Sequence, residues 1–191
     1  MTGNASEPRL HLVVTGVSGS GKTTVGRELA ERLSCPFADA DDFHPPGNVA
    51  KMSAGIPLDD EDRRPWIEAI AAWIRDRAAA REAAVVTCSA LKHAYRDVLR
   101  AASPDVRFVH LTGSPELLAQ RLGKRRGHFM PPALLASQLA TLEPLGPDEP
   151  GITVDVTPPP GEIAETVLAR LRGPTSGPPT ASPGSPPPAR R

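Results

Sequence analysis

The sequence predicts a parallel α/β fold, and the arrangement of its apolar residues predicts it. Short apolar runs alternate with stretches whose apolar residues recur at helical spacing, the signature of strand–helix–strand units. The run Ala83-Ala84-Val85-Val86-Thr87-Cys88 is nearly continuous in apolar character, as expected of a central strand covered on both faces. A glycine-rich octet, Gly16-Val17-Ser18-Gly19-Ser20-Gly21-Lys22-Thr23, falls between the first apolar run and the first helical pattern. That is a strand, a loop and a helix in succession.

The elements follow in order. Leu10 to Thr15 is the first strand, and Val25, Leu29 and Leu33 share one face of the helix leaving the octet. Pro36 to Asp39 is a short second strand with Asp39-Ala40-Asp41-Asp42 at its carboxyl end, the edge of an open α/β sheet where ligands sit. The segment Phe43 to Asp60 holds Pro45-Pro46-Gly47, a short helix at Asn48 to Ser53, and Gly55-Ile56-Pro57. It is too long for a plain connector and reads as a functional insertion. From Asp60 to Ala80 a helix opens on acids that suit its dipole, and Trp66, Ile70, Trp73 and Ile74 give it an apolar face. After the central strand come a helix at His93 to Ala101, a buried strand at Val106 to Leu111, and a helix capped by Ser114 with Pro115 at its first position. The last helix named ends in Lys124-Arg125-Arg126 and Gly127. Pro131 to Leu142, Ile152 to Val156 and Gly161 to Leu171 complete the series as helix, strand and helix.

One domain, 9–172, is expected, with a flexible N-terminus at 1–8 and a disordered tail rich in Pro, Ser and Gly at 173–191. Acids and bases balance at 22 each, which gives no overall basic excess to recruit nucleic acid or a membrane surface. Cys35 and Cys88 lie far apart in no metal-ligand spacing and read as buried small apolar residues in a cytoplasmic protein. Neither a leader h-region nor a membrane-length apolar run is present in the sequence.

The octet fits G-x-x-x-x-G-K-[ST], in which glycines let successive N–H groups face phosphate oxygens and the helix opening behind them adds its positive end. Gly16, Val17, Ser18, Gly19, Ser20, Gly21, Lys22, Thr23 and Thr24 are therefore the expected ATP site. Lys22 reaches the β/γ-phosphates, and the Thr23 hydroxyl ligates Mg²⁺. A plain tight turn gives no reason for Lys-Thr after the last glycine. The only asparagines, Asn4 and Asn48, lack a following lysine, against a guanine-specific switch, and the central strand ends Thr87-Cys88-Ser89 without the acid of a motor ATPase. Transfer of the γ-phosphoryl to a small molecule remains, for which Asp41 orients or deprotonates the acceptor hydroxyl and Asp39 acts near Mg²⁺. Turn capping is the alternative role for these acids, above all for Asp42. The cations around Arg125, with Gly127 as hinge, read as a lid over about 123–131 that closes on phosphates, or as a solvated helix end. Arg121, one turn earlier, can stack its guanidinium on adenine.

Together, the octet, Asp39-Ala40-Asp41, His44-Pro45, Asn48-Val49-Ala50-Lys51-Met52, Gly55-Ile56-Pro57-Leu58, Asp60-Glu61-Asp62-Arg63-Arg64-Pro65-Trp66, Cys88-Ser89-Ala90-Leu91-Lys92, Tyr95-Arg96 and Gly127-His128-Phe129 resemble the small ATP-dependent gluconokinases, in order from about Leu10 to Leu171. The resemblance implies a five-stranded parallel sheet of the nucleoside-monophosphate and shikimate kinase kind, transfer from ATP to D-gluconate giving 6-phospho-D-gluconate, and a homodimer. A polyol carboxylate needs a cation and several hydrogen-bonding groups. His44, Lys51 and Arg63 in the insertion and Ser89, Lys92 and Arg96 after the central strand are the candidates, with Lys92 and Arg63 first. For Lys51 and Arg96 the alternative is an exposed helix charge. His11, His110, Tyr95 and Trp66 read as packing residues. His93 stands where such enzymes tend to carry a second lysine, and Pro144 comes early after Thr141-Leu142-Glu143, so no adenine contact is carried over there. A kinase for shikimate or another small hydroxyl compound, and an ATP-binding module without turnover, are the alternative functions.

Overall fold

The structure, a computed structural model, describes residues 9–124 and 132–171. Five parallel strands run β1 (His11–Thr15), β2 (Phe37–Asp39), β3 (Ala84–Thr87), β4 (Val106–Thr112) and β5 (Gly151–Asp155), in the spatial order β2-β3-β1-β4-β5. Seven helices connect them among the described residues: α1 (Lys22–Leu33), α2 (Pro46–Ser53), α3 (Asp60–Ala79), α4 (His93–Arg100), α5 (Pro115–Gly123), α6 (Pro132–Thr141) and α7 (Pro160–Leu171). The expected parallel five-stranded sheet is present, and a 3-10 turn at Ala40–Phe43 was not foreseen. The lid expected at about 123–131 falls mostly outside the described residues, as do the two termini.

Alternation along each strand supplies two apolar faces. Leu12 and Val14 of β1, Val85 of β3 and Val109 and Leu111 of β4 meet Val25 and Leu29 of α1 and Ile163 and Val167 of α7 in one layer. Val13, Val86 and Phe108 point the other way, against Trp66, Ile67, Ile70 and Ile74 of α3 and Leu99 of α4. This period of two with apolar residues on both sides explains the unbroken apolar runs. His11 and His110 lie in this interior at 2% exposure, as the sequence predicts. Cys88 is buried as expected, but Cys35 is only half-buried, because it follows the left-handed Ser34 that ends α1 at the rim of the sheet.

Because all strands are parallel, every loop at their carboxyl ends opens on one edge. The sheet order puts β1 between β3 and β4, so the connections after β1 and β3 leave toward opposite sides. A crevice forms at such a switch of direction.

Candidate active site

The octet sits at that crevice, on the end of β1. Gly16 has φ 145°, and a Cβ there would come within 2.6 Å of the Leu111 carbonyl, so no other residue lets the loop pass this close to β4. Gly21 caps α1 at φ 85° and faces open space, which leaves room beside the helix N-terminus. Lys22 Nζ donates to the Val17 carbonyl at 3.0 Å, folding the ammonium back over the loop. Thr23 Oγ1 donates to Asp39 Oδ2 at 3.0 Å, and Asp39 Oδ1 accepts the Asp41 N–H at 3.3 Å. One carboxylate thus joins the helix start, the end of β2 and the turn carrying Asp41. Ser20 is buried and Thr24 exposed, so the hydroxyl of Thr23, between them, is the one brought to Asp39.

The 3-10 turn is held by the α3 aromatic that sequence alone reads as packing. Trp66 Nε1 donates to the Ala40 carbonyl at 2.6 Å, and its ring stacks on His44 with centroids 4.6 Å apart and planes 8° from parallel. Burial lowers the His44 pKa; Asp41 opposes the shift and Arg63 reinforces it, so His44 stands with a neutral ring between an acid and a guanidinium. Arg63 also donates from Nε to the Leu58 carbonyl at 3.3 Å.

Across the crevice, Lys92 caps the start of α4 and places Nζ 2.7 and 2.8 Å from the Asp60 carboxylate oxygens. The Tyr95 hydroxyl donates to the same carboxylate. Hydrogen bonds from Lys92 and then Tyr95 hold the Asp60 pKa below its usual range, and Tyr95, desolvated and beside that carboxylate, is pushed up to about 12. Arg63 reinforces the lowering of Asp60 and opposes the rise of Tyr95. Asp41, His44, Arg63, Asp60, Lys92 and Tyr95 therefore form one polar cluster at the carboxyl ends of β2 and β3, with Ser89 half-buried on the same β3 loop.

Two candidates are placed elsewhere. Arg96 is neither a substrate cation nor an exposed charge: it is fully buried and spends its whole fork on protein. Nε and Nη2 donate to Glu149 at 2.6 and 2.9 Å, Nη1 to the carbonyls of Ala90, Leu91 and Glu143 at 3.3, 3.1 and 3.0 Å, and Nη2 also to Pro144 at 3.2 Å. Lys51 is engaged by both oxygens of Asp62 at 2.6 and 2.7 Å, so its ammonium docks α2 on the start of α3. Arg121 is at the rim, its Nη2 donating to the Val156 carbonyl at the end of β5 at 2.7 Å. Arg125 lies outside the described residues.

Sequence reasoning missed Glu143, Glu149 and Gln138. Glu143 takes the His93 N–H with its carboxylate and donates its own N–H to the Leu91 carbonyl at 2.9 Å. The loop after α6 therefore braces the β3 loop. A buried carboxylate partner for Arg96 has no local spacing signal, since Glu149 comes from another part of the chain.

A family model described as an AAA domain matches residues 12–130. The gluconokinase of Gluconobacter oxydans (strain 621H) is 51% identical over 166 residues, covering 87% of this chain and 93% of that one. The chain belongs to the gluconokinase family. A crystal structure of a gluconokinase from Sinorhizobium meliloti 1021 superposes with a TM-score of 0.76 at 49% identity, covering 86% of this chain and 93% of that chain. Shikimate kinase from Aquifex aeolicus shares the fold, with a TM-score of 0.54 at 18% identity, 86% of this chain and 97% of that chain being covered. The gluconokinase likeness thus covers most of the chain. The shikimate kinase likeness is one of fold alone.

Proposed function

We propose that this gluconokinase family member transfers the γ-phosphoryl of ATP to the 6-hydroxyl of D-gluconate, giving ADP and 6-phospho-D-gluconate. The observation that carries the reading is 51% identity to a gluconokinase over nearly the whole relative, and the convergence of acid, imidazole and cations beside the phosphate loop supports it.

The loop from Gly16 to Thr24 binds the triphosphate through main-chain N–H groups, and Lys22 leaves the Val17 carbonyl for the β/γ-phosphates. Asp41 accepts the proton of the attacking hydroxyl. Its carboxylate is not consumed in the Thr23–Asp39 contact, since only its N–H is used there. Arg63 and Lys92 receive the sugar-acid carboxylate, and His44 and Ser89 orient hydroxyls. The neutral ring of His44 suits it to accept from or donate to a hydroxyl without competing for charge. Arg121 flanks the adenine at the β5 end.

Thr23 Oγ1 and Asp39 Oδ2, 3.0 Å apart, are hard oxygen donors of the kind Mg²⁺ takes. Among the described residues no group of three or more His, Cys, Asp or Glu is placed to hold a metal, which suits an ion completed by phosphate and water. When bound, Mg²⁺ would neutralise charge on the β- and γ-phosphates. The homodimer and the cytoplasmic location belong to the same proposal, and light scattering on the purified chain tests the first. No described helix is long and apolar enough to cross a membrane.

ADP release is measured across D-gluconate, other sugar acids and shikimate, with the product identified as phosphorylated at position 6. Release with gluconate supports the reading. Release only with another acceptor, or ATP binding without release, overturns it.

A further inference from the structure

Gln138, half-buried on α6, accepts the Ser18 N–H on its Oε1 at 2.7 Å. This main-chain donor belongs to the octet itself, yet a side chain from far along the sequence holds it. At the end of the same helix the Leu142 N–H bonds the Gln138 carbonyl at 2.9 Å, and Glu143 is the next residue along the chain. Glu143 then grips the β3 loop at two points: its N–H donates to the Leu91 carbonyl at 2.9 Å, and its carboxylate accepts the His93 N–H. Arg96 seals the junction by bonding the carbonyls of Leu91 and Glu143 together. Lys92 stands between Leu91 and His93.

We propose that Gln138 is a positioning residue: by holding the Ser18 N–H it makes α6 a strut between the phosphate loop and the loop carrying Ser89 and Lys92, so that nucleotide and acceptor bind cooperatively. The inference rests on the reading of the octet as the ATP site and of the β3 loop as part of the acceptor site. A phosphate that orders the octet also restrains Gln138, and the restraint reaches the β3 loop along the end of α6 and through the hydrogen bonds of Glu143. Acceptor binding then meets a loop whose ordering cost is already partly met, and linkage makes the effect mutual. Distance alone does not establish such coupling, so coupling itself is the quantity to measure.

The test is the affinity for D-gluconate of the full chain, by calorimetry, with and without a saturating nonhydrolysable ATP analogue and Mg²⁺. In the unsubstituted protein the analogue tightens gluconate by about fivefold or more, the lower end of ordinary allosteric coupling. Gln138→Met, similar in length but with only a weak thioether acceptor, brings that factor down toward one, a fall of about threefold or more, the scale of one net hydrogen bond. Gln138→Glu keeps an acceptor and retains the factor, even if its charge weakens nucleotide binding. Glu143→Ala, at the far end of the strut, reproduces the loss with the Ser18 contact intact, and serves if Gln138→Met folds poorly. A residue that merely anchored α6 would alter thermal stability and leave the ratio unmoved. Coupling absent from the unsubstituted protein, or undiminished in Gln138→Met or Glu143→Ala, overturns the proposal. Turnover of gluconate on the same preparation keeps the two readings separate: without it the substrate assignment fails, and the coupling is read on whichever acceptor releases ADP.

Discussion

Replacing Arg96 by methionine removes the centre of the buried network and should cost far more than a surface charge. The guanidinium makes six hydrogen bonds, two to Glu149 and four to main-chain carbonyls, with side-chain exposures of 0% and 1% for Arg96 and Glu149. Methionine fills much of the volume but leaves the buried Glu149 carboxylate with the Gly146 N–H, 2.8 Å from it, as its remaining hydrogen bond and with His93 Nε2 3.9 Å away. Breaking one side of a buried ion pair costs about 3–5 kcal/mol. At about 2–4 °C per kcal/mol for a domain of this size, the melting temperature falls by roughly 6–20 °C. The second substitution Glu149→Leu, made on top of Arg96→Met, should recover about 2 kcal/mol, because the stranded charge is gone while the four carbonyls still lack their donor. Urea denaturation of both variants and of Arg96→Lys measures this; lysine keeps the charge but not the fork and falls between. Because the network holds the β3 loop, KM for gluconate rises in Arg96→Lys. A loss under 1 kcal/mol in Arg96→Met, or no recovery in the double variant, would refute the reasoning.

Three further outcomes are expected. Lys22→Met lowers kcat by about two orders of magnitude or more, the scale of losing one preorganised charge donor, and near-normal turnover would defeat the assignment of the octet. Asp41→Asn slows transfer while ATP affinity, followed by calorimetry, is retained; a change confined to gluconate affinity would remove Asp41 from the role of proton acceptor. His11, His44 and His110 each have a pKa lowered from the ordinary 6.5, in every case chiefly by burial. The unfolded chain therefore binds more protons below about pH 6.5, so their contribution is fully present above that value and is lost as pH falls through the lowered folded values. Urea midpoints should decline between about pH 7 and pH 5, above the range where the carboxylates titrate, and a flat or rising profile would count against it.

Much of the fold was legible because it depends on local signals. The β3 run 83–88 declared a strand covered on both faces, and Val85 and Val86 do point into opposite layers. The octet was equally plain, since its glycines answer to backbone geometry that the sequence states directly. Where contacts reach across the chain, the reading weakened. Arg96 lies on a helix in sequence and looked like a surface or substrate cation, yet its burial depends on Glu149, and no periodicity announces such a partner. Lys51 went to Asp62 for the same reason. The stacking of Trp66 on His44 shows a mixed case: burial of the tryptophan followed from its place on the apolar face of α3, whereas its service to the Asp41 turn required the three-dimensional arrangement.

The carboxylate of Asp62 has a wider consequence. It accepts the Asp59 N–H at 3.2 Å while Asp59 takes the Asp62 N–H at 2.8 Å, closing the first turn of α3, and the same carboxylate holds Lys51 as its main-chain carbonyl receives the Asn48 side chain at 2.7 Å. The insertion cannot peel away without fraying the helix behind it. In amide exchange, α2 and the opening turn of α3 should therefore exchange as one cooperative unit, so that a protease or denaturant meets a single hinged flap instead of two loose pieces.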